Sequence, residues 1–216
     1  MKLCNFKKND AKQMTTDPKN IDISFGSFRN TLSQLITISA SEMVQLESRC
    51  HRKSFLKKAY LSVEDQSVNE VFFVLSGLVR VTIVDREGRE HTSHFSKENE
   101  FIADYGSFLT HNKAVYHLQA LEDTEVIVMP RTAIEWGYKH MQEGEKLGRA
   151  IAESYYIYLD TRIQRQYTLT AMQRYELMNE TFPNIHNRVP QHMIASYLGI
   201  TPIHLSRIKK AELIKA

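Results

Sequence analysis

Apolar positions along this 216-residue chain change their spacing twice. From Phe28 to Cys50 they recur at helical intervals, with Leu32, Leu35 and Ile36 and then Met43 and Leu46. That spacing predicts one or two short helices, with Ser39 or Ser41 as the N-cap. Residues 52–129 change to the period of strands. In "EVFFVLSGLVRVTIVDREGREHTSHF" (Glu70 to Phe95), Leu78, Arg80, Thr82 and Val84 alternate with Val79, Val81 and Ile83. Gly77 interrupts one run, and Asp85-Arg86-Glu87-Gly88 supplies a turn. "AVYHLQALEDTEVIVMP" (Ala114 to Pro130) predicts two more strands split at Glu122-Asp123. Short strands at regular spacing point to an antiparallel sandwich or barrel.

After Pro130 the helical period returns. The 24 residues from Gly144 to Tyr167 contain no proline and would span ~36 Å as one helix. Leu147, Ile151, Tyr155, Leu159 and Ile163 form its stripe, widened by Ala150, Ser154 and Tyr158. Such a helix outruns the flank of a small barrel. Part of the stripe packs on the barrel, and the remainder predicts a second copy of the helix across a two-fold axis. The expected interface is Leu147, Ile151, Ser154, Tyr155, Tyr158 and Leu159. Thr170 to Asn179 predicts a further helix ahead of Pro183.

The stretch "QHMIASYLGITPIHLSRIKK" (Gln191 to Lys210) reads as helix, turn, helix. Pro190 precedes the first helix, and Ile194, Ala195 and Leu198 face inward. Gly199 suits a left-handed helix end, Ile200 plugs the turn, and Thr201-Pro202 caps and starts the second helix. Leu205 and Ile208 return to the core, which leaves Pro202, Ile203, His204, Ser206, Arg207 and Lys210 outside. A helix so placed can enter a major groove: Arg207 can fork onto guanine, and Ser206 and Lys209 can reach bases or phosphates. Arg188, Gln191 and Thr201 complete the expected double-stranded DNA contacts. The bland alternative is a packing unit that binds only protein.

Charge favours DNA by its distribution more than its sum. The formal net charge is +3. From Pro183 onward there are five cations (Arg188, Arg207, Lys209, Lys210, Lys215) and one anion (Glu212), leaving the rest of the chain near −1. Cys4 and Cys50 form no CxxC pair, so neither a disulfide framework nor a four-cysteine metal site is expected. No apolar run reaches the length of a membrane span and no signal peptide is visible, so a soluble, cytoplasmic protein without membrane contact is expected.

The chemistry of enzymes finds little support. His91 and His94 are three apart on one strand and are expected on opposite faces, unable to share a metal. A cupin-like metal-binding β-barrel enzyme is the rival reading, but its H-x-H pair is missing. Glu153 and Asp160 fit a solvated helix surface. With no phosphate loop, nucleophile elbow or HExxH, neither a catalytic residue nor a resident metal is expected.

The order of elements resembles the Crp/Fnr family of bacterial transcription regulators over roughly residues 25–212. "VFFVLSGLVRV" looks like the family's roll strand, and "ENEFIADYGSF" (Glu98 to Phe108) like the segment entering its ligand pocket. "RVPQHMIASYLGITPIHLSRIKK" is similar to the helix-turn-helix of the branch common in Bacteroidetes-type bacteria. The resemblance implies an α+β chain: a flexible arm (1–24), a cyclic-nucleotide-binding-like β-roll (25–135), a linker and long dimerisation helix (136–168), and an all-α, winged-helix-like helix-turn-helix unit (169–216). It implies a homodimer on a palindromic operator, with RNA polymerase as a further partner. An effector in the roll would set the angle of the DNA-binding unit, spacing two recognition helices one DNA turn, ~34 Å, apart.

Departures from the family pattern bear on the effector. Members that bind cAMP carry Gly-Glu-Leu and Arg-Ser in the phosphate cassette. Here Ala103-Asp104-Tyr105 and Ala114-Val115 stand at those positions. Loss of the Arg removes a bidentate contact to phosphate, so tight cAMP or cGMP binding is not expected. The roll would take another small molecule or be filled by its own side chains, with Phe101, Asp104, Tyr105, Lys113, Tyr116 and Tyr155 as the expected pocket residues. Pro202-Ile203 replaces the Arg-Glu near the start of the recognition helix in well-known members, and Ile203 suits a thymine methyl.

Overall fold

The computed structural model describes residues 25–215, and the expected arm at 1–24, with Cys4, lies outside them. Two short helices open the described chain, α1 (Gly26–Leu35) and α2 (Ala40–Glu47). Ser39, not Ser41, caps α2: the Glu42 amide donates to Ser39 Oγ while Glu42 Oε2 accepts from the Ser39 amide at 2.9 Å. This capping box supplies partners for two backbone donors that the helix itself cannot satisfy.

Eight antiparallel strands follow: β1 (His51–Phe55), β2 (Tyr60–Ser62), β3 (Glu70–Ser76), β4 (Val79–Val84), β5 (Glu90–Ser96), β6 (Phe101–Ile102), β7 (His117–Ala120) and β8 (Thr124–Pro130). They form two four-stranded sheets ordered β1-β8-β3-β6 and β2-β7-β4-β5. A six-residue helix, α3 (Tyr105–Thr110), lies between β6 and β7. Alternation divides the roll's residues between its faces. Phe72, Val74, Val79, Val81, Leu118, Val126 and Val128 fill the interior. Phe73, Phe101, Ile127 and Met129 instead turn outward from the first sheet to meet Phe28 and Leu32 of α1.

Strand β5 carries a bulge. Val81 pairs with His94 but Thr82 pairs with Thr92, so Ser93 is an extra residue. His91 and His94 therefore oppose Val81 and Ile83, which share one face of β4, and the expectation of opposite faces is corrected. They still do not meet: His91 contacts Asp85 at the surface, while His94 is hydrogen-bonded to Tyr158. Among the described residues no cluster of His, Cys, Asp or Glu could hold a metal.

Helix α4 (Arg131–His140) follows Pro130 and turns back into the long α5 (Gly144–Thr168). The two backbones touch where a side chain on Gly144 would overlap the Gly137 carbonyl. Leu147 is buried in the cluster shared with α1 and the first sheet, and Ile151 packs against it. Tyr155 meets Tyr105, and Tyr158 meets His94. These four residues serve the chain's own roll, not a free interface as expected. Ser154 is exposed, and Leu159 is intermediate. The apolar residues that α5 leaves exposed are Tyr156, Ile157, Ile163 and Tyr167. Tyr156, Ile163 and Tyr167 stand at i, i+7 and i+11, one stripe on the opposite side.

The C-terminal unit contains α6 (Ala171–Thr181), α7 (Ile185–Arg188), α8 (Gln191–Leu198) and α9 (Pro202–Lys215). It is helical throughout, with no wing strand among its described residues. Its core of Tyr175, Met178, Phe182, Ile185, Val189, Ile194, Ala195, Leu198, Leu205 and Ile208 is continuous with Leu78, Phe95 and Leu121 of the second sheet. Phe95 is fully buried between Phe182 and Tyr197. The edge strand β5 is thus covered, and its Thr92 amide donates to Ser196 Oγ of α8 at 2.8 Å.

Candidate nucleic-acid interface and sensor pocket

Local chemistry shapes the turn between α8 and α9. Gly199 adopts φ +68°. The Ile200 amide donates to the Ala195 carbonyl at 3.0 Å and the Gly199 amide to Ser196 at 3.1 Å, the two bonds of a Schellman end. Thr201 Oγ1 then accepts from the His204 amide at 3.2 Å and caps α9. Leu205 and Ile208 are buried, and Glu212 is held inward by the Tyr175 hydroxyl at 2.8 Å.

The face that remains carries Thr201, Pro202, Ile203, His204, Ser206, Arg207 and Lys210, all exposed, with Gln191 exposed at the start of α8. Ile203 is 69% exposed, an aliphatic side chain with no intramolecular use. Lys209 is partly covered. Arg207 and Lys210 form no ion pair among the described residues, so their charges are free to meet phosphates. A shallow hollow of about 540 Å³ lies between this helix and Met172 of α6.

Arg188 departs from the expected DNA set. Its guanidinium holds Glu122 (Nη2–Oε1 2.5 Å) and Glu98 (2.8 Å), both on the roll. These hydrogen bonds raise the Arg188 pKa, with that to Glu122 the largest influence. Arg188 is a clamp between the two units. Its place in the basic C-terminal run from Pro183 onward is what made it resemble a phosphate contact.

In the roll, Asp104 is 2% exposed. Its carboxylate accepts three backbone N–H groups: Ser107 at 3.2 Å, Val115 at 2.7 Å and Tyr116 at 3.1 Å. Tyr105 stacks on Phe108 and meets Tyr155 edge-on at 5.9 Å between centroids. Burial raises the Tyr155 phenol above its usual range, and the nearby Tyr116 and Asp104 add to it. Asp104, Tyr105, Tyr116 and Tyr155 therefore lie together. Phe101 and Lys113 do not join them. Phe101 points at α1 because β6 presents Ile102 to the interior, and Lys113 is exposed beside a bridge to Ser67.

The junction of roll, α5 and α8 was not foreseen. Arg162 donates to the Tyr197 carbonyl at 2.8 Å and lies 3.9 Å above the Tyr197 ring. His94 is hydrogen-bonded to the Tyr158 hydroxyl at 2.5 Å, and burial, with Arg162 nearby, lowers its pKa to about 3. No spacing in the sequence marks this set, because its members come from three distant elements.

The chain is thus a two-sheet roll followed by a long helix and a helix-turn-helix. Residues 52–140 match the cyclic nucleotide-binding domain family. The chain is 25% identical to the anaerobic regulatory protein of Bacillus subtilis over 113 residues, and that match spans about half of each protein (52% of this chain, 47% of the relative). Its fold is similar to that of FixK2 from Bradyrhizobium japonicum (TM-score 0.67, 18% identity, 77% of this chain and 85% of that one). The c-di-GMP-responsive regulator CLP of Xanthomonas campestris is also similar (TM-score 0.62, 15% identity, 82% and 93%). So is a regulator assigned to the Crp/Fnr family from Eubacterium rectale (TM-score 0.64, 13% identity, 82% and 85%). Beyond the matched roll, the likeness to these regulators is one of fold. No helix among the described residues is long and apolar enough to cross a membrane.

Proposed function

We propose that this protein is a homodimeric, sequence-specific DNA-binding transcription regulator whose roll does not use cAMP or cGMP. The observation that carries the reading is the exposed first half of α9, held by the Gly199 and Thr201 caps, with Ile203 and Arg207 outward and no acidic side chain among them. Such a helix presents one methyl-reading and one guanine-reading side chain to a major groove. Tyr156, Ile163 and Tyr167 supply the stripe for a second copy of α5, which would set two half-sites ~34 Å apart.

Two features of the roll support the reading that it takes no cyclic nucleotide. Asp104 takes the amides of Val115 and Tyr116 that an entering phosphate would need, and a second anion there meets its charge. No arginine stands at Ala114, and Lys113 is exposed.

Selection from a random duplex pool, with purified protein and no added ligand, tests both parts. A palindrome with half-sites one helical turn apart is expected. Recovery of no sequence, with or without cyclic nucleotides, overturns the DNA reading. A palindrome recovered only with cAMP or cGMP overturns the reading of the roll.

A further inference from the structure

Three arginines face one cleft where α5 hands over to the DNA-binding unit. Arg162 and Arg165 come from α5 and Arg174 from α6, and Gln166, Thr161 and Tyr158 complete its polar wall. None of the three forms an ion pair among the described residues. Arg162 spends one donor on the Tyr197 carbonyl. Arg174 donates to the Leu198 carbonyl at 3.2 Å and the Leu169 carbonyl at 2.6 Å, and so covers the ends of two helices. Those carbonyls offset part of its charge. Arg165 is exposed, and its guanidinium makes no hydrogen bond among the described residues. Each guanidinium has five N–H donors, so most of the donors in this cleft are unused and most of its positive charge is unmatched.

We infer that this cleft is a binding site for a compact, multiply charged oxyanion, bridging the long helix to the helix-turn-helix. The cavity measures about 180 Å³, below the ~300–1,000 Å³ of clefts that hold drug-sized ligands. It suits a phosphate, pyrophosphate or small polycarboxylate rather than a nucleotide. Planar guanidinium forks match such groups through paired N–H donors. The position gives the site leverage. Leu169 is the extended residue between α5 and α6, and its carbonyl is already held by Arg174. Gln166 lies against Gly199, at the turn before α9. An anion shared by Arg165 and Arg174 would fix the angle between α5 and the recognition helix. The α5 face involved lies away from Tyr156, Ile163 and Tyr167, so pairing through that stripe leaves the cleft open.

Binding is independent of the DNA reading; only its effect on operator affinity rests on that reading. Titration calorimetry and thermal melting of the full chain with inorganic phosphate, pyrophosphate and citrate, in a chloride buffer, test the site. One saturable site per chain and a raised Tm are expected for at least one probe. Arg165→Gln should weaken it about tenfold with an unchanged Tm in anion-free buffer, while Lys139→Gln, on α4, should bind as the parent does. Absence of saturable binding by all three probes at millimolar concentration overturns the site, as does equal affinity in Arg165→Gln. If Arg165→Gln instead lowers the salt dependence of DNA binding and no anion binds, the cluster is a DNA-backbone contact and the proposal falls. If no duplex binds at all, the calorimetric result stands alone and only the coupling to DNA is lost.

Discussion

Asp104 Oδ2 accepts the Val115 amide at 2.7 Å, so a buried carboxylate of the chain itself takes up the backbone donors between β6 and β7. Removing that carboxylate strands the amides of Ser107, Val115 and Tyr116 in a largely buried place. Asp104→Ala should cost about 2–4 kcal/mol, since each buried unpaired donor is worth ~1–3 kcal/mol less what water recovers. Urea unfolding should show a lower midpoint with an unchanged slope. Asp104→Asn, which keeps an acceptor, should lose less than the alanine variant. Equal losses in the two would mean that packing, not hydrogen bonding, holds this corner.

Arg188 joins α7 to Glu98 and Glu122 of the roll, and its loss should loosen the helical C-terminal unit without changing the proposed DNA contacts. Burial opposes the charged form of Glu98, but a backbone N–H and the Arg188 guanidinium outweigh it and hold the carboxyl below its usual value of 4.5. Stability from this clamp is therefore present above the ordinary glutamate range and is lost as pH falls through the lowered value. Arg188→Gln should destabilise by about 1–2 kcal/mol, discounted for partial exposure, and should weaken the acid dependence. The slope of DNA affinity against salt should stay the same; a reduced slope would restore Arg188 to the phosphate contacts.

His94 should set part of the acid limit of stability. Its folded pKa is about 3 against an ordinary 6.5, because burial disfavours the cation and Arg162 repels it. The other groups that face it are the Tyr158 hydroxyl and, beyond that, Tyr197 and Glu100. The unfolded chain takes up a proton here that the folded one refuses. Stability is then full above pH 6.5 and falls as pH drops from there toward 3. His94→Gln should flatten that fall in denaturation series run at successive pH values. An unaltered acid limb would assign the fall to other groups, His186 among them.

Elements written by neighbouring residues were legible in the sequence, and facing was not. The Gly199-Ile200-Thr201 turn and the two strands split at Glu122-Asp123 depend on local chemistry and stand where the pattern put them. Ser93 is an added residue in β5, and no composition signal separates a bulged strand from a regular one. Phe101 and Ile102 are both apolar, so alternation could not say which enters the roll. Helix α5 carries two apolar stripes at the same period, one through Leu147, Ile151, Tyr155 and Tyr158 and one through Tyr156, Ile163 and Tyr167. Periodicity found the helix, but only the packed roll shows which stripe is already used.

That division makes the dimer prediction specific. Ile163→Asp places a charge on the free stripe and should convert a dimer to monomers in sedimentation equilibrium, with the helical signal kept. Exposed substitutions of this kind change monomer stability by about 0.5 kcal/mol or less. Ile151→Asp, on the used stripe, should instead lower stability by several kcal/mol because it puts an unpaired charge into a packed cluster. Dissociation by the second variant in a folded state, with none by the first, would reverse the two faces.

Arg207 and Lys210 are exposed on the same helix and without ion pairs among the described residues, yet their losses should differ in kind. In the proposed docking, Arg207 lies on the exposed face of α9, where a guanidinium would reach both acceptors of a guanine. Arg207→Ala should cost about 1–3 kcal/mol at the selected operator and relax preference at one position of each half-site. Lys210 stands a turn further on, where the proposed docking would bring it to a phosphate. Lys210→Ala should weaken all duplexes nearly alike and reduce the salt slope by about 1 per subunit. Ile203→Ala should leave the slope alone and lose discrimination only against a base pair without a thymine methyl. Binding titrations of the three variants on operator and scrambled duplexes at several salt concentrations separate these outcomes. Uniform losses from Arg207→Ala across sequences would place its guanidinium on phosphate, and the docking of α9 would have to be turned about its axis.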